Sequence, residues 1–146
     1  MNLLDFITES NNIEGEKTIP EKELPIYEWF LSKELTEDRV KDFHMDLFAV
    51  RAQVMPQPVP DKYLGKYRDV PVYIGSKEIS PVGIDDAMEL LFNPECTASA
   101  FEFHKIFENI HPFIDGNGRV GRAIWRHQHG EAPLGFLHTY YYQSLV

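Results

Sequence analysis

A base, a carboxylate, a glycine-spaced turn and two arginines are crowded into the stretch His111-Pro112-Phe113-Ile114-Asp115-Gly116-Asn117-Gly118-Arg119-Val120-Gly121-Arg122. These residue types suit the handling of phosphates. Gly116 and Gly118 can take backbone angles barred to residues with a Cβ, so consecutive N–H groups can turn inward around an anion. The residues from Arg119 to His129 have helical composition and no proline. A helix starting near Gly118 adds its unpaired N-terminal N–H groups and its dipole to the attraction. Arg119 and Arg122 stand at i and i+3, near one face of that helix, where planar guanidinium groups can grip phosphate oxygens bidentately. Asp115 makes little sense as a bare neighbour of phosphate but good sense as a Mg²⁺ ligand, because Mg²⁺ is commonly held by one or two carboxylates plus substrate phosphates. His111, with an ordinary pKa of about 6.5, is a general base for a hydroxyl, and Pro112 stiffens the backbone beside it. Phe113 has no part in that chemistry and is assigned to the core.

A polar turn before a surface helix is the plainer alternative, and for Gly-Asn-Gly alone it would suffice. The full frame H-P-F-x-D-G-N-G-R-x-x-R, however, is expected by chance in a chain of this length with a probability on the order of 10⁻¹⁰. The segment resembles the signature of the Fic family (filamentation induced by cAMP) and agrees with it at every specified position. The resemblance implies a mainly α fold, a compact helical bundle with a small β-hairpin flap near the active site. It also implies transfer of AMP from ATP to a hydroxyl side chain of another protein. By that likeness His111 deprotonates the target Ser, Thr or Tyr, and Asp115 binds the Mg²⁺ that bridges the α- and β-phosphates. Gly116, Asn117 and Gly118 form the anion hole, Arg119 contacts the phosphates, and Arg122 holds the γ-phosphate.

With 146 residues, the chain is read as one domain over 1–146, long enough to bury a core of its own. Ten Phe, seven Tyr and two Trp supply much of that core. The formal net charge is −9, with no run of Lys and Arg, which speaks against non-specific binding to nucleic acid or to an anionic membrane. The single cysteine, Cys96, has no internal partner for a disulfide and reads as a small, partly buried residue in a reducing compartment. No apolar run approaches the roughly 20 residues of a membrane span, and the N-terminus lacks the basic start and long apolar stretch of a signal peptide. A cytoplasmic location is expected.

Residues 1–16 read as a short amphipathic helix built on Leu3, Leu4, Phe6 and Ile7 and ending near Gly15. Within it, Ser10, Glu14 and Gly15 match the pattern [S/T]-x-x-x-E-[G/N] of the inhibitory helix found in many Fic proteins. The resemblance implies that Glu14 pairs with Arg122 and obstructs the γ-phosphate. Alone, so short a pattern arises by chance in roughly one such chain in ten, and an ordinary glutamate before a C-capping glycine is the alternative. A second helix is expected within Glu21–Leu35, with Pro25 in its first turn. A third should open at Thr36 as N-cap and run to about Val50, with Val40, Phe43, Leu47 and Val50 inward. His44, beside that stripe, reads as a partly buried polar residue rather than a ligand.

Met55 to Asp61 contains three prolines and excludes a regular helix. Residues 62–76 read as a strand pair or hairpin between glycines, whose exposed edge is adhesive for another chain; the resemblance implies that this segment, with Val70, Val72, Tyr73 and Ile74, is the flap on which the target segment docks. A purely structural connection is the alternative. Helices follow over Ile84–Phe92, with Ala87, Met88 and Leu91 inward, and over Thr97–Glu108, which delivers the chain to His111. His104 is read as a core or supporting histidine, and His127 and His129, at i and i+2, are not a metal pair. Leu134–Val146 is either a terminal helix or a docking strand.

The sequence reading is therefore an adenylyltransferase of protein hydroxyls that uses ATP and Mg²⁺ and is held low by Glu14. Three alternatives stand beside it: transfer of another phosphate-bearing group, removal of AMP with Glu14 positioning a water, and a catalytically silent binding or toxin module. The sequence carries no signature of the protein target or of the oligomeric state, and it leaves a dimer open.

Overall fold

The computed structural model describes residues 2–15, 19–51 and 59–131. Six helices and one hairpin follow in the order α1 (Leu3–Ile13), α2 (Pro20–Leu31), α3 (Glu37–Arg51), β1 (Val72–Ile74), β2 (Lys77–Ile79), α4 (Ile84–Leu91), α5 (Ala100–Ile110) and α6 (Asn117–His129). The fold is thus mainly α, with one small antiparallel sheet. Most of the residues expected in the proline-rich stretch from Met55, and the whole of Leu134–Val146, lie outside the described residues.

Three helices, α1, α3 and α5, start where a side chain satisfies an orphan N–H group. Asn2 Oδ1 accepts the Asp5 N–H at 2.8 Å, Thr36 Oγ1 the Arg39 N–H at 3.2 Å, and Ser99 Oγ the Glu102 N–H at 3.2 Å. α1 stops as expected: Glu14 is its cap and Gly15 turns left-handed at φ 66°. α2 differs from expectation at its start. Pro20 occupies its first turn and Pro25 lies inside the helix, since a proline tolerates helical φ and only the Glu21 carbonyl loses its partner. α5 begins at Ser99 as N-cap rather than at Thr97.

α6 is the central helix, packed against α1, α2, α3 and α5. From Val120 to Arg126 every residue is buried, Val120, Ala123 and Ile124 completely. Around it stand Phe6 and Ile7 of α1, Tyr27 and Phe30 of α2, Val40, Phe43, Leu47 and Phe48 of α3, and Phe103 and Phe107 of α5. Each such side chain contributes about 1.5–3 kcal/mol relative to leaving it in water. α4 joins through Ile84, Met88 and Leu91. The stripe expected on α3 is buried except at Val50, which is half-buried, and it is widened by His44 and Phe48. Cys96 departs from expectation: it is exposed, because it sits in the turn after Pro94, where its N–H bonds the Asn93 carbonyl.

The hairpin is also displaced along the chain from the segment 62–76. Residues Asp61–Tyr63 form a single 3₁₀ turn, and the strands pair Val72 with Ile79, Tyr73 with Glu78 and Ile74 with Lys77. Gly75, at φ 62°, opens the two-residue connection. Glycine at 65 therefore ends a turn, and the second strand lies beyond Gly75 rather than before it. Among the described residues no helix is long and apolar enough to cross a membrane.

Candidate active site

The loop between α5 and α6 carries His111 to Gly116, and its shape follows from which backbone groups are tied. His111 caps α5 in the left-handed region, φ 51° and ψ 59°, a conformation costing a residue with a Cβ on the order of 1 kcal/mol. Its N–H bonds the Phe107 carbonyl at 3.0 Å, and its Nδ1 lies 3.3 Å from the Glu108 carbonyl. A carbonyl only accepts, so Nδ1 carries the proton and the lone pair is left on Nε2. Burial pushes the His111 imidazole below its ordinary pKa, which keeps the ring neutral at neutral pH and able to take a proton.

Phe113 bolts the loop into the core, fully buried, with its ring stacked on His44 at 3.9 Å and 8°. Asn117 closes the loop from the other side. Its Oδ1 accepts the Phe113 N–H at 2.9 Å and its Nδ2 donates to the Phe113 carbonyl at 2.8 Å. The Asn117 side chain is therefore turned into the loop. What Asn117 offers outward is its backbone: the helical pattern of α6 begins with Val120 N–H to Gly116 carbonyl at 3.0 Å, so the N–H groups of Asn117, Gly118 and Arg119 have no partner within the helix.

His44 is more than the partly buried residue expected. It is fully buried, accepts the Gly65 N–H on Nδ1 at 3.0 Å, and meets the Asp115 carbonyl with Nε2 at 3.0 Å. That pair of contacts fixes one neutral tautomer, and burial pushes the ring down to about 4. Sequence reasoning missed this bridge because its partners lie 21 and 71 positions away. Asp115 itself is exposed, and its Oδ1 accepts the Gly116 N–H at 2.7 Å.

Gly116 takes φ 88° as the cap of α6, the positive angle expected of the loop. Gly118 does not: its backbone is helical, and its missing Cβ serves space instead. A Cβ there would come within 2.3 Å of Glu14 Oε1.

Glu14 thus lies against the first turn of α6, and its Oε1 accepts from Arg122 Nη2 at 2.9 Å. Arg122 is further held by Ser10, with Nε donating to Oγ at 2.8 Å and Nη2 to the Ser10 carbonyl at 3.1 Å. Ser10, Glu14 and Arg122 are brought together as the sequence pattern anticipates; Gly15 only turns the chain. Arg119, which lines the cavity, is held from inside the fold. Its guanidinium packs over the Phe48 ring and pairs in the interior with Glu23 of α2. Glu23 in turn accepts from Asn11 Nδ2 of α1 at 2.8 Å. Nothing in the sequence distinguishes Glu23 from the neighbouring Glu21, which is exposed.

A cavity of about 170 Å³ opens over this assembly, lined among others by His111, Asp115, Gly118, Arg119, Glu14 and Glu108. Arg122 is not in its wall, because Glu14 is. Glu108 is another unforeseen feature: burial, with Arg122 opposing and Glu14 adding to it, pushes its carboxyl up to about 8. His104 lies behind it, its Nδ1 3.2 Å from the Gly121 carbonyl, as a supporting residue of the core. None of Val70, Val72, Tyr73 and Ile74 lines the cavity. They lie on the hairpin beside it, Tyr73 being 66% exposed.

The model of the Fic/DOC family matches residues 34–128. The chain belongs to the Fic/DOC family. Among solved structures it is similar in fold to a Fic family protein from Desulfovibrio desulfuricans G20, with a TM-score of 0.58 and 22% identity. That likeness covers 85% of this chain and 46% of the other, so the chain spans about half the length of its structural neighbour. No curated protein matches it. The matched segment takes in the hairpin, the loop from His111 to Gly116 and nearly all of α6, while α1 and α2 lie before it.

Proposed function

We propose that this Fic/DOC chain is a protein adenylyltransferase, moving AMP from ATP to the hydroxyl of a Ser, Thr or Tyr on a target protein, and that α1 holds it in a low-activity state. The observation that carries the reading is the position of Glu14. Its carboxylate lies on Arg122 and against Gly118, at the positive end of α6, where a helix N-terminus and an arginine attract an anion. The site already holds a negative group, and a terminal phosphate would compete for the same place.

The chemistry follows from the tied loop. The hydroxyl oxygen attacks the α-phosphorus, its proton passes to His111 Nε2, and pyrophosphate leaves. His111 is suited to that step because Nδ1 is committed to the Glu108 carbonyl and burial keeps the ring neutral. The N–H groups at the start of α6 face the phosphates without needing to reorganise, while Arg119, engaged with Glu23, forms the cavity wall. The donor set suits Mg²⁺: Asp115 presents one exposed carboxylate, and no group of three or more ligating side chains stands among the described residues, so a cation there would complete its shell with substrate phosphates and water. When bound, it supplies charge neutralisation at those phosphates. Residues of the hairpin, exposed beside the loop, would align the target segment.

Transfer of label from α-labelled ATP to protein in a cell extract tests the reading. Little label is expected with the wild type, strong label with Glu14→Gly, and none when His111→Ala is added. No label with Glu14→Gly while ATP still binds would overturn it. Glu14 also shares the cavity with His111, which favours one second reading, the removal of AMP with Glu14 holding a water. There, Glu14→Gly would abolish release of AMP from a modified protein.

A further inference from the structure

Arg68 is 3% exposed, and among the described residues its guanidinium meets only backbone carbonyls. Nε donates to the His111 carbonyl at 2.7 Å. Nη1 donates to Val70 and Ile79 at 2.9 and 3.0 Å, and Nη2 makes two longer contacts, 3.4 Å each, to Ser80 and Ile110. The backbone N–H of Arg68 bonds the Pro112 carbonyl at 2.9 Å. A buried cation is tolerated only when its donors are satisfied, and here the five N–H groups of the fork find five carbonyls. One of them, Ile110, ends α5, where the helix dipole is negative.

The carbonyls belong to two structures. Val70 and Ile79 are the roots of the hairpin, just before β1 and at the end of β2. Ile110, His111 and Pro112 are the turn that presents the base. His111 sits in a left-handed conformation that a non-glycine residue keeps only when its surroundings impose it. On its N-terminal side the Phe107 carbonyl holds it, and on its C-terminal side Arg68 holds two successive carbonyls. The peptide linking His111 to Pro112 is thereby fixed relative to both strands.

We propose that Arg68 is a positioning residue of the reaction, setting the hairpin roots and the His111 backbone in one rigid frame so that a hydroxyl docked along the hairpin meets Nε2. The inference rests on the transferase reading of the site. Lysine cannot substitute, because a single ammonium group cannot span carbonyls from two segments in the way a planar fork does.

The test uses the full chain carrying Glu14→Gly, with Arg68→Lys or Arg68→Gln added, and three measurements. Affinity for a fluorescent ATP analogue should stay within about twofold, while kcat for transfer falls at least about tenfold. The ¹⁵N shifts of the His111 ring should lose the Nδ1–H signature as its bond to the Glu108 carbonyl loosens. A folded Arg68→Lys protein with kcat within twofold of its parent and an unchanged ring would overturn the proposal. So would a parallel loss of ATP affinity and kcat, which marks a merely structural role. If Arg68→Gln does not fold, Arg68→Lys decides alone. A parent that transfers nothing counts against the transferase reading instead, and the ring signature then decides: retained in Arg68→Lys it refutes the positioning role, lost it upholds it.

Discussion

Replacing Glu14 by glycine should remove its carboxylate from Arg122 without releasing α1, and the energetics can be worked from the contacts. The substitution removes one charge-assisted hydrogen bond, 2.9 Å from Arg122 Nη2. Such bonds contribute about 1.5–3 kcal/mol when buried, but the Glu14 side chain is 34% exposed, and solvent screening lowers the figure to about 1 kcal/mol. Against that loss stand Phe6 and Ile7, both fully buried and together contributing about 3–6 kcal/mol. The Ser10 bonds to Arg122 and the Asn11 bond to Glu23 are untouched. α1 should therefore stay docked, with Tm lowered by about 3–6 °C. Phe6→Ala, costing about 3–5 kcal/mol, should undock it. Hydrogen exchange over Leu3–Ile13, read beside label transfer, separates the two. Activation with protected α1 amides is expected for Glu14→Gly. If those amides instead exchange at unfolded rates once Glu14 is gone, the carboxylate was holding the helix, and the reasoning fails.

Three other perturbations have worked signs. Gly116→Ala forces a Cβ into φ 88° and to within 2.3 Å of the buried Phe48 ring, at a cost of about 2–5 kcal/mol. Gly118→Ala keeps a helical backbone, gains up to about 1 kcal/mol of propensity, and meets first the movable end of Glu14; equal drops in Tm for the two would refute the distinction. Glu23→Ala removes the carboxylate from a buried ion pair and should cost about 3–5 kcal/mol, with Glu23→Gln, which keeps an acceptor for Asn11, costing less in the same denaturant titration. Stability should also depend on pH from both sides. His44 and His104 are each pushed by burial from 6.5 down to about 4, so the folded state prefers neutral rings. Their contribution, about 3 kcal/mol each, is full above pH 6.5 and lost as pH falls through 4. Glu108, raised from 4.5 to about 8, has the opposite sign: its contribution is present below 4.5 and lost as pH rises through 8. Glu108→Gln should flatten only the alkaline side of a Tm profile, and parallel profiles would sink that assignment.

Helix positions were legible because local chemistry decides them. Thr36 caps α3, Gly15 ends α1, and the stripe Val40, Phe43, Leu47 faces inward whatever the neighbours are, whereas Ser99 was not distinguished from Thr97 as the start of α5. The loop between α5 and α6 was legible as a motif, but not how each of its side chains is used. Asn117 spends its side chain on Phe113, and Gly118 is needed for the room that Glu14 fills. The rest was hidden because it depends on partners far along the chain. Arg68 lies in Lys66-Tyr67-Arg68-Asp69, a run indistinguishable from exposed surface, and only the fold brings the His111 carbonyl, 43 positions on, to its Nε. Sequence states how many charges a segment carries; tertiary packing selects which of them goes inside.

That selection bears on the two arginines of the motif, which look equivalent at i and i+3 but are not. Both are almost completely buried, at 1% exposure, and each is matched by a glutamate from an N-terminal helix. The difference lies in the glutamates. Glu23 is 2% exposed and anchored by Asn11, whereas Glu14 is 34% exposed and ends a helix. In the proposed reaction an incoming phosphate would displace the second carboxylate at modest cost, whereas exchanging the first would open the packing of α1, α2 and α6. Arg119 therefore fastens the start of α6, and Arg122 is the exchangeable contact. Arg122→Lys in the Glu14→Gly protein should weaken ATP binding about tenfold, at a small change in Tm, through loss of the bidentate fork. Arg119→Lys should do the reverse, lowering Tm by several degrees with ATP affinity nearly kept. Affinity lost equally in both would mean that Arg119, too, reaches the phosphate, and that the Glu23 pair opens when nucleotide binds.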